Sequence, residues 1–161
     1  MITEKMQEAI NAQINAEMWS AYLYLAMSVD AANYGMKGMA HWFRKQNAEE
    51  MEHAYRFMAY LESQFAEVEL RPIAEFPTRW GSPMSMFESA LRHEKKVTGM
   101  INNLYSLATS ENDYATSVFL QWYVTEQVEE EESVQTIIDR LKQVEDNPAA
   151  LFNYDNELGE R

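Results

Sequence analysis

The sequence predicts an all-α protein, a four-helix bundle with one long crossover connection and a short fifth helix. Three observations predict it. The 5 glycines and 4 prolines fall almost entirely outside the long periodic stretches, apolar residues recur every three or four positions in four long segments, and a single long connection joins the second segment to the third. At 161 residues the chain is long enough to bury one core, and we expect a single domain over residues 1–161.

The ends of the predicted helices follow from capping and turn residues. Thr3 is a candidate cap for the first helix, and the turn at 34–38 contains two glycines. Residues 110–113 supply capping side chains between the third and fourth helices. Asn147 and Pro148 are a cap and a first helical residue for the fifth. The predicted helices span about 3–33, 39–65, 84–109, 114–144 and 148–157.

The lengths of the connections choose the topology. Short turns make the first and second helices antiparallel neighbours, and likewise the third and fourth. A helix of about 30 residues is roughly 45 Å long at 1.5 Å per residue. The connection over residues 66–83 reaches roughly 56 Å when extended. It is therefore long enough to travel the length of the bundle and to set the second and third helices parallel.

Each predicted helix carries polar groups on its buried stripe at mid-length. In each of the four long helices, the stripe traced by steps of three or four residues includes a glutamate. In the second and fourth helices, a second polar residue accompanies that glutamate. A single glutamate on a predicted stripe commonly means that the edge of the buried face has been misjudged. Four glutamates at matching heights in four helices are not explained in this way. The six residues predicted to converge are Glu17, Glu50, His53, Glu94, Gln127 and Glu130.

The two halves of the chain repeat this plan. Glu17 and Glu50 are 33 residues apart, and so are Glu94 and Gln127; the second pair follows the first by 77 residues. Glu49 maps onto Glu126 by the same offset. Elsewhere the two hairpins match only weakly. The sequence therefore predicts a shared site built by two related hairpins.

Metal ions are the predicted partners of these carboxylates. Burying several carboxylates without partners costs several kcal/mol each, and neither lysine nor arginine falls on the four stripes. Two divalent cations neutralise four carboxylates, and the i, i+3 pairs Glu50–His53 and Gln127–Glu130 place both members on one helix face. Carboxylates with one imidazole and no sulfur suit iron or manganese, and zinc also binds such a set. Iron is the better functional hypothesis.

Composition excludes several classes of protein. The net charge of −13 repels nucleic acid and anionic lipid, so neither is an expected partner. The absence of cysteine removes disulfides, thiolate metal sites and cysteine nucleophiles. The first ten residues mix acids and bases, unlike a signal peptide, and no apolar run approaches a membrane span. A soluble, cytoplasmic protein is expected.

The sequence resembles the ferritins, specifically the bacterial-type non-haem ferritins, over essentially the whole chain. The motifs that carry the resemblance are AEMWSAYLY with Glu17 and Tyr24, EEMEH at 49–53, His93-Glu94, and Glu126-Gln127-x-Glu129-Glu130. The resemblance implies a ferritin-like fold and iron storage and detoxification. It implies an assembly of 24 subunits that deposits ferric mineral inside a protein shell.

The resemblance also implies a dinuclear ferroxidase centre within each subunit. Such a centre oxidises Fe(II) to Fe(III) with dioxygen or hydrogen peroxide. Glu17, Glu50 and His53 are expected around one iron. Glu50, Glu94 and Glu130 are expected around the other, with Glu50 bridging the two.

Further residues match the surroundings of that centre in the family. Gln127 is expected beside the second iron, near the position where oxygen binds. Glu49, Glu126 and Glu129 match a third iron site that leads toward the cavity. Tyr24 matches a tyrosine near the centre, with a redox role and a packing role as equal alternatives.

Haem is not expected. Met51 lies where the haem-ligating methionine of bacterioferritins would be, yet their second Glu-x-x-His pair is replaced here by Gln127 and Glu130. Rubrerythrins need cysteines, and mini-ferritins build their site between subunits. A non-catalytic bundle that holds structural metal is the alternative from another class. His93 is expected on the surface or behind the ligands, and His41 on a helix face.

Overall fold

Five helices and no strand make up the structure, a computed structural model that describes all 161 residues. The helices are α1 (Glu4–Asn33), α2 (Lys37–Ser63), α3 (Pro83–Ser110), α4 (Tyr114–Val144) and α5 (Pro148–Leu158). Helix α1 packs mainly against α2, α3 packs mainly against α4, and α5 lies against α2 and α4. The predicted fold class is confirmed. None of these helices combines the length and the apolar character that a membrane crossing requires.

The predicted caps form at three helix starts. The Thr3 side chain accepts a hydrogen bond from the amide of Met6, and the Asn147 side chain accepts from the amides of Ala149 and Ala150. The Asp113 side chain accepts from the amide of Thr116 at the start of α4. Each cap satisfies amides that lack a partner inside the helix, so these boundaries are set locally.

Helix α2 differs from its predicted span of 39–65 by two residues at each end. It begins at Lys37, and its N-cap residue Met36 offers no side-chain hydrogen bond. The amides of Gly38 and Met39 instead donate to the two carboxylate oxygens of Asp155, at 3.0 and 2.8 Å. The cap of α2 therefore comes from α5, more than a hundred residues away, and local sequence carries no sign of it.

The crossover connection, residues 64–82, runs the whole length of α1. The side chains of Asn11, Asn15 and Trp19 donate to main-chain carbonyls of successive crossover residues. The amide of Trp80 donates to the buried Asp30 carboxylate near the far end of α1. The crossover thus starts beside the beginning of α1 and delivers the chain to its other end, which makes α2 and α3 parallel as predicted.

The bundle core is divided in two by polar side chains. One apolar cluster contains Met27, Phe43 and Phe87 among others, and the other contains Ile10 and Phe57 among others. Between them lies the layer of predicted site residues, which we call the polar layer: Glu17, Glu50, His53, Glu94, Gln127 and Glu130. The apolar clusters on both sides keep this layer away from water and lower the local dielectric.

Candidate metal centre

The structure buries every member of the polar layer. Their exposures are 1% for Glu17, 2% for Glu50, 4% for His53, 0% for Glu94, 4% for Gln127 and 5% for Glu130. Ionisable groups at this depth need a compensating partner. No lysine or arginine side chain forms an ion pair with any of them, as the sequence predicted.

The first half of the layer, contributed by α1 and α2, is a compact three-residue cluster. We call Glu17, Glu50 and His53 the first-hairpin cluster. His53 Nδ1 lies 3.3 Å from a Glu50 carboxylate oxygen and 3.8 Å from Glu17 Oε2. One ligand atom from each residue falls within 4.8 Å of the others, as three ligands of one metal ion do.

Two atoms of the first-hairpin cluster lack a hydrogen-bond partner. Glu17 Oε2 and His53 Nδ1 are both buried and both unsatisfied. Leaving a buried polar atom without a partner costs about 1–3 kcal/mol. Because the two atoms lie 3.8 Å apart, one cation can satisfy both, and the residues present fit a metal ion.

The second half of the layer, contributed by α3 and α4, is arranged differently. We call Glu94, Gln127 and Glu130 the second-hairpin cluster. The Tyr24 hydroxyl donates to Glu94 Oε1, and Gln127 Nε2 donates to Glu94 Oε2 at 3.2 Å. Gln46 Nε2 donates to Glu130 Oε2. Both carboxylates of this cluster therefore already hold hydrogen bonds.

The residues predicted for a third iron lie at the edge of the polar layer. Glu126 Oε1 is 3.9 Å from His53 Nε2, and these two residues with Glu130 offer a second set of three ligand atoms within 4.8 Å. The side chain of Glu49 is 46% exposed, and Glu129 is exposed. The structure thus brings Glu126 close to His53, whereas Glu49 and Glu129 lie at the more exposed margin of the layer.

Burial is the main influence on the protonation of the carboxyl groups. It raises the pKa of Glu94 to about 7 and that of Glu130 to about 8, and it raises the pKa of Glu50 well above its usual range. Burial lowers the pKa of His53, but the adjacent Glu17 and Glu50 carboxylates outweigh this and raise it to about 11. The layer therefore holds protons near neutral pH that arriving cations replace.

Two glutamines support the layer and were not singled out from the sequence. Gln13 Nε2 donates to Glu17 Oε1 at 2.7 Å, and Gln46 contacts Glu130 as described. Gln13 and Gln46 each lie four residues before a glutamate of the layer, Glu17 and Glu50, on the same buried stripe. A polar residue one helical turn from a buried carboxylate was the available signal.

Two histidines lie outside the first-hairpin cluster. His93 Nε2 is 2.7 Å from Ser20 Oγ, and its ring packs edge-on against Tyr24 with the centroids 6.1 Å apart. Burial lowers the pKa of His93 to about 4, so the ring is neutral and supports Tyr24 from behind. His41 Nε2 contacts the carbonyl oxygen of Arg161 at 3.0 Å.

The fold and the buried carboxylate–histidine layer define a helical bundle with a candidate metal centre inside it. The family model of the ferritin-like domain matches residues 7–144, and the chain belongs to the ferritin family. Predicted membership of that family is thereby confirmed.

Named relatives extend the likeness over the whole chain. The bacterial non-heme ferritin of Bacteroides fragilis strain 638R is 44% identical, with all of both chains covered. The bacterial non-heme ferritin of Staphylococcus aureus strain USA300 is 34% identical over all of this chain and 97% of its own. The open pore ferritin of the archaeon Archaeoglobus fulgidus superimposes with a TM-score of 0.98 at 43% identity, covering 100% of this chain and 99% of that one.

Proposed function

We propose that this protein stores and detoxifies iron and is a ferroxidase, with Fe(II) as its substrate. One observation carries the proposal. In a chain of the ferritin family, Glu17, Glu50 and His53 converge in the dry centre of the bundle with two ligand atoms unsatisfied. A purely structural helix bundle has no reason to retain such costly groups.

The proposed roles follow the positions of the side chains. Glu17, Glu50 and His53 bind the first iron. Glu50 also extends toward the second iron. Glu94 and Glu130 bind that iron after their existing hydrogen bonds break. Hard carboxylate oxygens favour Fe(III) over Fe(II), so the ligand set makes loss of an electron from bound iron easier.

The chemistry needs two iron ions because the oxidant takes two electrons. Each Fe(II) gives up one electron, and dioxygen accepts both together with two protons to leave as hydrogen peroxide. With hydrogen peroxide as the oxidant, two electrons break its O–O bond and two protons complete two water molecules. Glu94 and Glu130 give up their protons when iron binds, so the two protons of this step come from the solvent.

The remaining predicted residues receive supporting roles in the proposal. Gln127 holds the Glu94 carboxylate and lies beside the second iron. Tyr24, fully buried with its hydroxyl on Glu94, is placed to orient that ligand and to supply an electron. Glu49, Glu126 and Glu129 form a third iron site, supported by the short distance from Glu126 to His53.

Assembly into a hollow shell is part of the proposal, with the 24 subunits that the resemblance implies. Several large apolar side chains on the outside of the subunit are available for contacts between subunits. Phe65 is 90% exposed, Tyr114 76% and Phe152 64%. Contiguous apolar patches mark interaction surfaces, and these side chains are available to form such patches with their neighbours. Size-exclusion chromatography tests this, and a dimer at micromolar concentration contradicts the shell.

Haem has no role in the proposal. Met51, the one residue that suggested it, faces a shallow groove shared with Met18, Tyr22 and Asn47. The absence of bound haem stays a prediction, and the visible spectrum of the purified protein tests it.

The ferroxidase proposal is tested by loading the assembled protein with two Fe(II) per chain without oxygen and then adding air-saturated buffer. An oxygen electrode is expected to record rapid uptake of one dioxygen for every two Fe(II). Replacing the bridging ligand, Glu50→Ala, should slow that uptake by at least about 100-fold, since even residues behind the ligands cost 10- to 100-fold.

The matched control is Glu52→Ala on the exposed face of the same helix, which should oxidise iron like the wild type. Uptake no faster than that of free Fe(II), in the wild type and in Glu50→Ala alike, would leave a structural metal-holding bundle as the better description.

A further inference from the structure

Arg161, which follows α5, reaches back to the margin of the polar layer. Its guanidinium donates to Gln46 Oε1 at 2.7 Å and to Glu49 Oε2 at 2.6 Å. Gln46 in turn donates through its amide nitrogen to Glu130. The positive charge of Arg161 therefore contacts Glu49, which is proposed for the third iron, and Gln46, which supports a ligand of the second iron.

This placement of Arg161 is fixed by several independent contacts. The guanidinium lies over the Trp42 ring, 4.6 Å from its centroid, and the Arg161 carbonyl contacts His41. Helix α5 is attached to the start of α2 through the Asp155 carboxylate. Gly38 has no room for a side chain, because an added Cβ would lie 1.6 Å from the Asp155 carbonyl oxygen. The approach of α5 to α2 is therefore close and defined.

The guanidinium supplies at Glu49 what a metal ion would supply. It brings a positive charge and two donors to the oxygens of Glu49 and Gln46, and Arg161 has a side-chain exposure of only 30%. Charge-assisted bonds of this kind are about twice as strong as neutral ones. A metal ion and the guanidinium cannot both hold the same Glu49 carboxylate at full strength, because like charges repel in this partly buried setting.

We propose that Arg161 is an internal cation that occupies the Glu49 arm of the third iron site, so that a third metal ion binds there only by displacing the guanidinium. This rests on the proposed function, because it takes the dinuclear centre and the third site as given. The third site is then a weak, easily vacated position. Iron in transit is held there briefly, and the positive charge of Arg161 closes the position again after the iron leaves.

Titration calorimetry of the intact assembled protein with Co(II), without oxygen, tests the inference. The wild type should bind two ions per chain tightly and a third weakly. Arg161→Ala should tighten the third step by roughly 3- to 30-fold, the value of one charge-assisted contact at a partly exposed site. Arg161→Lys should give a smaller gain, because a lysine keeps the charge but loses the fork that spans two acceptors.

A Glu49→Gln background separates competition from a general structural effect. If Arg161 competes for Glu49, then Arg161→Ala has no effect on the third step once Glu49 is replaced. Arg79→Ala, which removes a charge that is 77% exposed elsewhere, is the control for net charge and should leave all steps unchanged.

The outcomes are distinct. An unchanged third step in Arg161→Ala overturns the role of Arg161, and so does a gain that persists in the Glu49→Gln background. Absence of the two tight steps in every variant overturns the dinuclear centre itself, and the inference with it.

Discussion

The two hairpins contribute the same number of side chains to the polar layer, yet they hold them in opposite ways. In the α1–α2 hairpin, Glu17 Oε2 and His53 Nδ1 are buried without partners. In the α3–α4 hairpin, Glu94 and Glu130 are already engaged by Tyr24 and by side-chain amides. The repeat of 77 residues conserves the positions of the layer but not the groups around it.

The two proposed metal positions are therefore unequal before any metal arrives. In the first-hairpin cluster a cation meets two buried ligand atoms that hold no hydrogen bond, and His53 only has to release its proton. The second-hairpin cluster must exchange existing hydrogen bonds for metal–oxygen bonds and must release protons from Glu94 and Glu130. We therefore expect stepwise filling, first beside His53 and then beside Glu94.

The largest effect is expected from Glu17→Gln, which removes a charged ligand with an unsatisfied oxygen. The affinity of the first Co(II) should fall by at least about 100-fold, more than for residues behind the ligands. Titration calorimetry without oxygen measures it. A first step that remains as tight as in the wild type would show that filling does not begin at the first hairpin.

The positionally equivalent change in the second hairpin, Glu94→Gln, should have a different signature. The first step should stay within about threefold of the wild type, while the second falls by roughly 10- to 100-fold. The second loss is smaller because Glu94 surrenders two hydrogen bonds when it binds metal. Equal losses in both steps would contradict the inequality of the two positions.

Removing a support rather than a ligand should cost less. Gln13→Leu leaves Glu17 Oε1 without its donor, so the first step should weaken by roughly tenfold. Gln46→Leu should instead weaken the second step, through Glu130. Calorimetry of both variants sharpens the comparison, since each support should act only on the binding step of the carboxylate that it contacts.

The smallest effect is expected on the thermal stability of the metal-free protein. Burial raises the pKa of Glu94 to about 7 and of Glu130 to about 8, above the usual 4.5. A carboxyl group with a raised pKa stabilises the fold when protonated, and this stability is lost as the pH rises from about 4.5 through the folded-state values. Lowering the pH from 8.5 to 6 should therefore raise the melting temperature, by about 2–4 °C for each kcal/mol gained.

Glutamine variants give the control for this pH dependence. Glu94→Gln and Glu130→Gln should each flatten the rise, because glutamine does not titrate, and saturating Co(II) should flatten it in the wild type. A slope unchanged in both variants would assign the effect to other groups, such as His53, whose raised pKa acts in the same direction.

Sequence reasoning reached the fold and the polar layer because both follow from local periodicity. The stripe that carries Glu17 is readable from 3.6-residue spacing alone, and the length of the crossover fixed the topology. The hydrogen bond from Tyr24 to Glu94 could not be predicted, because residue spacing does not show which of several nearby polar groups form a pair.

The contacts that α5 and Arg161 make also could not be predicted from the sequence. The Asp155 cap on α2 and the Arg161 contact with Glu49 join residues more than a hundred positions apart, with no repeat or motif to signal them. Lys and Arg are absent from the four stripes, as predicted. The positive charge at the margin of the polar layer comes from Arg161, which lies outside those stripes.

The attachment of the crossover to α1 has a practical consequence. Asn11, Asn15 and Trp19 all donate to its main chain. Some crossover side chains add contacts, as Phe76 does with Trp19, but the exposed ones have little part in holding it. Leu70, for example, is 65% exposed. Exposed crossover positions such as Leu70 therefore suit the attachment of a label by side-chain substitution, which leaves the main-chain contacts with α1 and the path between α2 and α3 unchanged.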